Sequence, residues 1–262
     1  MATPTSRTAT TAPSGSCPGR WLGAEPRRPA GGWPAAGRAG LRAALAGAAG
    51  LGLAALAGAA DTFAVEDWSS AQVGAKGIPP GWEKQRWGSP AYDFVVVQDG
   101  DRKVVHLKCK DDSSNVSKEI KGKVKLKDTP IVEWTWKVTA LPAGADSRKK
   151  ETDDEAGQIY VTWPRFPEAV RSRIIGYVWD STAPVGSIHK SQKTGTVTYV
   201  VIRSGPADLG KWLTERRNVA EDFKKIYGEE PEDPAIVSFG IDSDDVKGTA
   251  ESFMGPILFR KP

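Results

Sequence analysis

The chain has 262 residues, two cysteines and a formal net charge of +4. That charge does not imply a nucleic-acid partner, because Arg7, Arg20, Arg27, Arg28, Arg38 and Arg42 against Glu25 put +5 into residues 1–60 and leave about −1 for the remainder. With Cys17 in that same leading segment, Cys109 has no intramolecular disulfide partner, so the domain rests on its core alone.

Residues 1–37 are rich in Pro, Ala, Gly and Thr, which predicts disorder. Arg38 and Arg42 then precede the apolar and small-residue run Leu45 to Ala60, which ends in Ala57-Gly58-Ala59-Ala60. A positive region, a short apolar region and small residues at the end predict a secretory leader cut near Ala59 or Ala60. A membrane anchor would want about 20 strongly apolar residues, whereas this run is mostly Ala and Gly. The expectation is a periplasmic or secreted domain over residues 61–262, with no stable membrane span once the leader is gone.

Beyond the leader the dominant period is two, the period of strands. Tyr92 to Gln98, the turn Asp99-Gly100-Asp101 and Lys103 to Cys109 predict a hairpin. Lys118 to Lys127 alternates Lys with apolar residues and reads as a solvated edge strand, with Ile120 to Leu126 at its centre. In Ile131 to Val138, Val132, Trp134, Trp136 and Val138 share one face and Glu133, Thr135 and Lys137 the other. Gln158 to Trp163, Ile174 to Trp179, Val197 to Arg203, Ala235 to Asp242 and Pro256 to Arg260 complete the strands. Asn218 to Glu221 is a capping box, and Gly228 stops the helix that it opens. The fold predicted is all-β: a two-sheet jelly-roll sandwich with one short crossover helix.

Rings and hydrogen-bonding groups together make a carbohydrate platform, since rings pack on the C–H faces of sugars and charged groups bind hydroxyls. The candidate ligand residues are Glu133, Lys137, Tyr160, Tyr177, Trp179, Lys150 in the charged loop Asp146 to Glu155, and Arg217. The platform requires that their strands be neighbours, and that Tyr177 and Trp179 face away from the core. Arg216 or Arg217 could instead pair with acidic residues and fix the helix. Asp242, Asp244 and Asp245 crowd one turn, as a structural calcium site would require, although no cofactor is needed for the binding reading. Asp153, Asp154 and Asp242 are candidate catalytic carboxylates. No GxSxG, HExxH or phosphate-cradling glycine loop is present.

WTWKVTALPAGAD (134–146), DDEAGQIYV (153–161), GYVW (176–179), ERRNVAEDFKKIYGEEP (215–231) and DSDDVKGTAESFMGPILF (242–259) together resemble the bacterial exported family called domain of unknown function 3047. The resemblance implies export and no reaction. The closing strand is also similar to that of galactose-binding-like jelly rolls and carbohydrate-binding modules, in which the first and last strands pair. The chain departs from the family at Asp244-Asp245-Val246, where Asn and Thr are more usual. The expected function is a non-catalytic module for a glycan or an envelope polymer. The alternatives are a carboxylate-dependent hydrolase or lyase acting on a polysaccharide, and a structural envelope protein.

Overall fold

The computed structural model describes residues 61–262. The predicted leader, Cys17 and the Pro-rich stretch therefore lie outside the described residues. Among the described residues thirteen strands fall into two sheets. The first sheet runs β11 (Leu213–Asn218), β6 (Ile131–Ala140), β13 (Thr249–Arg260), β4 (Arg102–Lys110), β3 (Asp93–Asp99). The long β13 pairs β4 along its first half and β1 (Thr62–Glu66) along its second, so the first and last strands are joined. The second sheet runs β2 (Glu83–Lys84), β5 (Ser113–Glu119), β12 (Ile236–Asp242), β7 (Gly157–Trp163), β8 (Arg173–Asp180), β10 (Val197–Ser204), β9 (Ile188–Lys190). Among the described strands only β8 and β10 pair in parallel. Among the described residues no helix is long and apolar enough to cross a membrane.

The core lies between the sheets and is filled by rings, as the sandwich reading requires. Trp134 and Trp136 of β6 are fully buried and meet Tyr177 and Trp179 of β8, with centroids 5.4 Å and 5.7 Å apart. Trp68, Trp82, Phe94 and Phe239 fill one flank, while Trp163 packs on Phe223 on another. Trp87, in contrast, is exposed.

This packing corrects the expected phase of β8. The segment RIIGYVWD is apolar on both faces, so alternation cannot say which face turns inward. Volume decides: Ile175, Tyr177 and Trp179 fill the inter-sheet space, and Gly176 turns outward. A Cβ on Gly176 would lie 2.7 Å from the Tyr160 ring and 3.0 Å from that of Tyr199, so the close approach of those rings requires glycine.

The basic segment is also corrected. Lys118 and Glu119 end β5, but from Lys121 the chain turns, with Gly122 at φ +74°. Ile120, Val124 and Leu126 still bury their side chains under the sandwich, which accounts for the apolar spacing without a strand. Lys118 itself binds Glu66 at 2.7 Å.

The helix Val219–Tyr227 carries the chain from the first sheet to the second. The Asn218 side chain accepts the Glu221 N–H, and Gly228 closes the helix at φ +70°. Val219 and Phe223 are its buried residues against the core. Asn218→Ala is expected to lower folding stability by about 1 kcal/mol, read from urea titration, since one helix donor loses its cap.

Candidate functional site

Pairing register builds a ring-bearing row across the outer face of the first sheet. Leu213 is opposite Trp136, which places Trp212, one residue before β11, against Lys137. Lys137 is opposite Phe253, Phe253 is opposite His106, and His106 is opposite Val95. These residues thus form one line perpendicular to the strands, with neighbours about 4.8 Å apart. Phe253 and His106 stack with parallel planes at 4.1 Å, and Trp212 meets Phe253 edge-on at 6.3 Å. Lys137 Nζ sits 4.2 Å from the Phe253 centroid and 5.0 Å from that of Trp212.

Hydrogen-bonding groups border the rings. Asp99 accepts from Trp212 Nε1–H at 2.9 Å and from Lys137, whose hydrogen bond holds its carboxyl below the usual range. His106 Nε2 lies 2.7 Å from Glu251 Oε1, and Thr139 donates to Glu251 Oε2 at 3.0 Å. Burial works to raise the Glu251 carboxyl, but the hydrogen bonds of His106 and Thr139 prevail and hold it low. Beside Glu251, a shallow depression of about 400 Å³ is lined by Asp93, Lys108, Lys110 and Thr249 among others. The row therefore presents rings and charge on the outer face, with an open trough at the sheet end beside Glu251.

The predicted ligand residues divide. Glu133 and Lys137 do share this face. Glu133 is occupied there by Arg216 and, at 3.0 Å, by Arg260. Tyr160 lies on the opposite side of the molecule, on the outer face of the second sheet, because β7 does not neighbour β6. Its ring lies 6.5 Å from Tyr199. Tyr177 and Trp179 are core residues and cannot touch a ligand. Arg217 binds Asp222 at 2.9 Å, and Tyr177 donates its hydroxyl to that same carboxylate, so Arg217 anchors the helix. Lys150 is exposed on the short turn Lys150–Thr152, away from the strands.

The candidate catalytic and metal residues converge at one end of the second sheet. Asp153, Asp154 and Glu155 precede β7, while Asp242 ends β12 and Asp244 and Asp245 follow it. Asp154 accepts the N–H groups of Asp245 (3.1 Å) and Val246 (2.8 Å). Asp242 accepts the Ser113 hydroxyl at 2.9 Å, and Ser191 donates to Asp153 at 2.9 Å. One oxygen from each of Asp154, Asp242 and Asp244 lies within 4.8 Å of the others. Burial and the charges of Asp154 and Asp244 push Asp242 up to about 9. Glu155 is raised well above its usual value by burial, then by Asp153 and Asp242.

Trp212, Phe253, His106, Asp99 and Glu251 escape sequence reading as a site. The alternation of Glu251 and Phe253 is the available signal, but their partners come from strands more than 100 residues away in the chain. Glu155 is signalled by the acidic run DDE, although not its burial.

A comparison with curated proteins finds no match. Among solved structures, the chain is similar to the CBM22-1 xylan-binding domain of a Paenibacillus barcinonensis xylanase (11% identity, 72% of this chain and 91% of that one, TM-score 0.34). It is also similar to the xyloglucanase domain of a type three effector from Sinorhizobium fredii (10%, 69% and 91%, TM-score 0.37). A third likeness is to the K1 cleaved adhesin domain of Lys-gingipain from Porphyromonas gingivalis W83 (11%, 77% and 98%, TM-score 0.32). Residues 80–258 match the family model described as "Protein of unknown function (DUF3047)". This chain therefore belongs to the DUF3047 family, as the segments around Trp134, Asp153 and Arg216 imply.

Proposed function

We propose that this protein is exported and acts as a non-catalytic module that binds a glycan or a similar hydroxyl-rich envelope polymer on the outer face of its first sheet. The observation that carries the reading is the row Trp212, Lys137, Phe253, His106, which continues into the trough beside Glu251. From Trp212 to His106 the row spans about 15 Å at the usual strand spacing, a length suited to several sugar units of an extended chain. Its ring edges offer apolar contact to sugar C–H groups, since the ring faces pack on one another and on Lys137, while Asp99, Lys137 and Glu251 offer hydrogen bonds to hydroxyls. An open face suits a polymer better than a small molecule, which needs an enclosing cavity.

Hydrolysis is the weaker reading. Asp154 and Asp242 are close, but Asp154 is engaged by backbone N–H groups and Asp242 by Ser113. Neither the trough nor a second depression of about 460 Å³ near Phe166 is lined by these carboxylates. The test is a glycan array followed by titration calorimetry of the purified protein. Saccharide binding without release of reducing ends supports the module. Turnover would establish an enzyme, and an array with no binding would leave the structural role.

A further inference from the structure

The acidic nest of the second sheet holds more carboxyl groups than its own cations can pair. Asp153, Asp154, Glu155, Asp242, Asp244 and Asp245 meet there. Lys193 pairs with Asp245 and lies 3.8 Å from Asp244, while Lys247, the next cation, is bound to Asp111 at 2.8 Å. Asp180 faces Glu155 but is occupied by Ser147.

Several oxygens in this nest have no donor. Glu155 is 0% exposed, yet its Oε1 lacks any hydrogen-bond partner. Asp153 Oδ1 is buried without a hydrogen-bond donor as well, and Asp244 Oδ1 has none but Lys193 at 3.8 Å. Buried carboxylate oxygens are costly without a donor or a cation. The hydrogen bonds that do exist point the same way. Asp154 is held by the turn after β12, and Asp242 by Ser113 of β5, so their remaining lone pairs are fixed in place.

The separation suits one ion. Oxygens that ligate calcium at 2.3–2.6 Å lie at most about 5 Å from one another, and those of Asp154, Asp242 and Asp244 lie within 4.8 Å. The donors are all hard oxygens. Cys109 is turned to the Asp112 carbonyl and to Ser243, and His189 Nε2 to Ser147. Such a donor set selects calcium over zinc.

The geometry points to a site for a hard divalent cation of the calcium type, ligated by Asp154, Asp242 and Asp244, with the buried Glu155 carboxyl in the same acidic nest. The ion ties the loop before β7 to the turn after β12. It lies on the opposite sheet from the ring row and does not depend on glycan binding.

The test uses the full chain, stripped with chelator and then dialysed against calcium chloride. One ion per chain is expected, with a Kd of about 10⁻⁴ to 10⁻³ M, the range of extracellular calcium modules. At 10 mM calcium, about 10 to 100 times that Kd, the Tm rises by about 3–10 °C over its value in chelator. Asp244→Asn, whose side chain is 43% exposed and so is tolerated by the fold, weakens binding at least ~10-fold. Asp242→Asn, which keeps an acceptor for Ser113, does the same. Trp212→Ala leaves calcium binding unchanged. The proposal is overturned if the wild type takes up no calcium at 10 mM and melts at one temperature in calcium and chelator. It is equally overturned if both Asn variants keep wild-type affinity.

Discussion

Trp212→Ala lowers saccharide affinity by about 30-fold or more, the effect of losing a ring that anchors an interface. Trp212 ends the row, and its indole N–H is fixed by Asp99 at 2.9 Å. A ring held that way loses little freedom on binding, so its stacking energy appears almost undiminished in the affinity. Removing it also frees Lys137 from one of its two ring contacts, which loosens the neighbouring position. Phe253→Ala has a comparable effect, because His106 and Lys137 both pack on that ring. Calorimetry with the saccharide selected on the array measures both. Unchanged melting of the Trp212 variant separates lost contact from lost fold. Equal affinity in wild type and both variants would remove the row from the binding surface.

Trp136→Ala acts on stability instead, lowering it by about 3–5 kcal/mol. Trp136 is fully buried between the sheets, against Trp134 and Trp179. Its indole N–H also donates to Glu215 at 3.3 Å, a carboxylate already held by Arg203. Truncation leaves a cavity that the two rigid sheets cannot close. Urea titration reads the loss as a lower midpoint with an unchanged slope. A change below about 1 kcal/mol would mean that this ring does not join the sheets.

Strict alternation made much of this fold legible. In IVEWTWKV the polar residues mark the outside, and Trp134 and Trp136 lie inside as that pattern requires. Where both faces of a strand are apolar, as in β8, the pattern carries no phase, and Tyr177 and Trp179 were assigned to the wrong side. Polar strands were invisible for the opposite reason. SSNVSKE and LTERRN lack an apolar period, and pairing with β12 and β6 makes them strands. The polar outer face of β6 is legible in the sequence, but the rings that share it are not. Glu133 and Lys137 announce a polar outer face, whereas the rings beside Lys137 arrive from β13 and from the end of β11 through long-range register. The acidic segments around Asp154 and Asp242 were each visible, and antiparallel pairing of β7 with β12 brings them together.

The most direct test of the ring row is a nitrogen-15 spectrum of the tryptophan indoles during saccharide titration. Trp212 Nε1–H is predicted to shift with saturation, while the buried indoles of Trp134, Trp136 and Trp179 stay in place. A shift confined to exposed Trp87, or a titration in which binding proceeds with the Trp212 signal unmoved, would contradict the account.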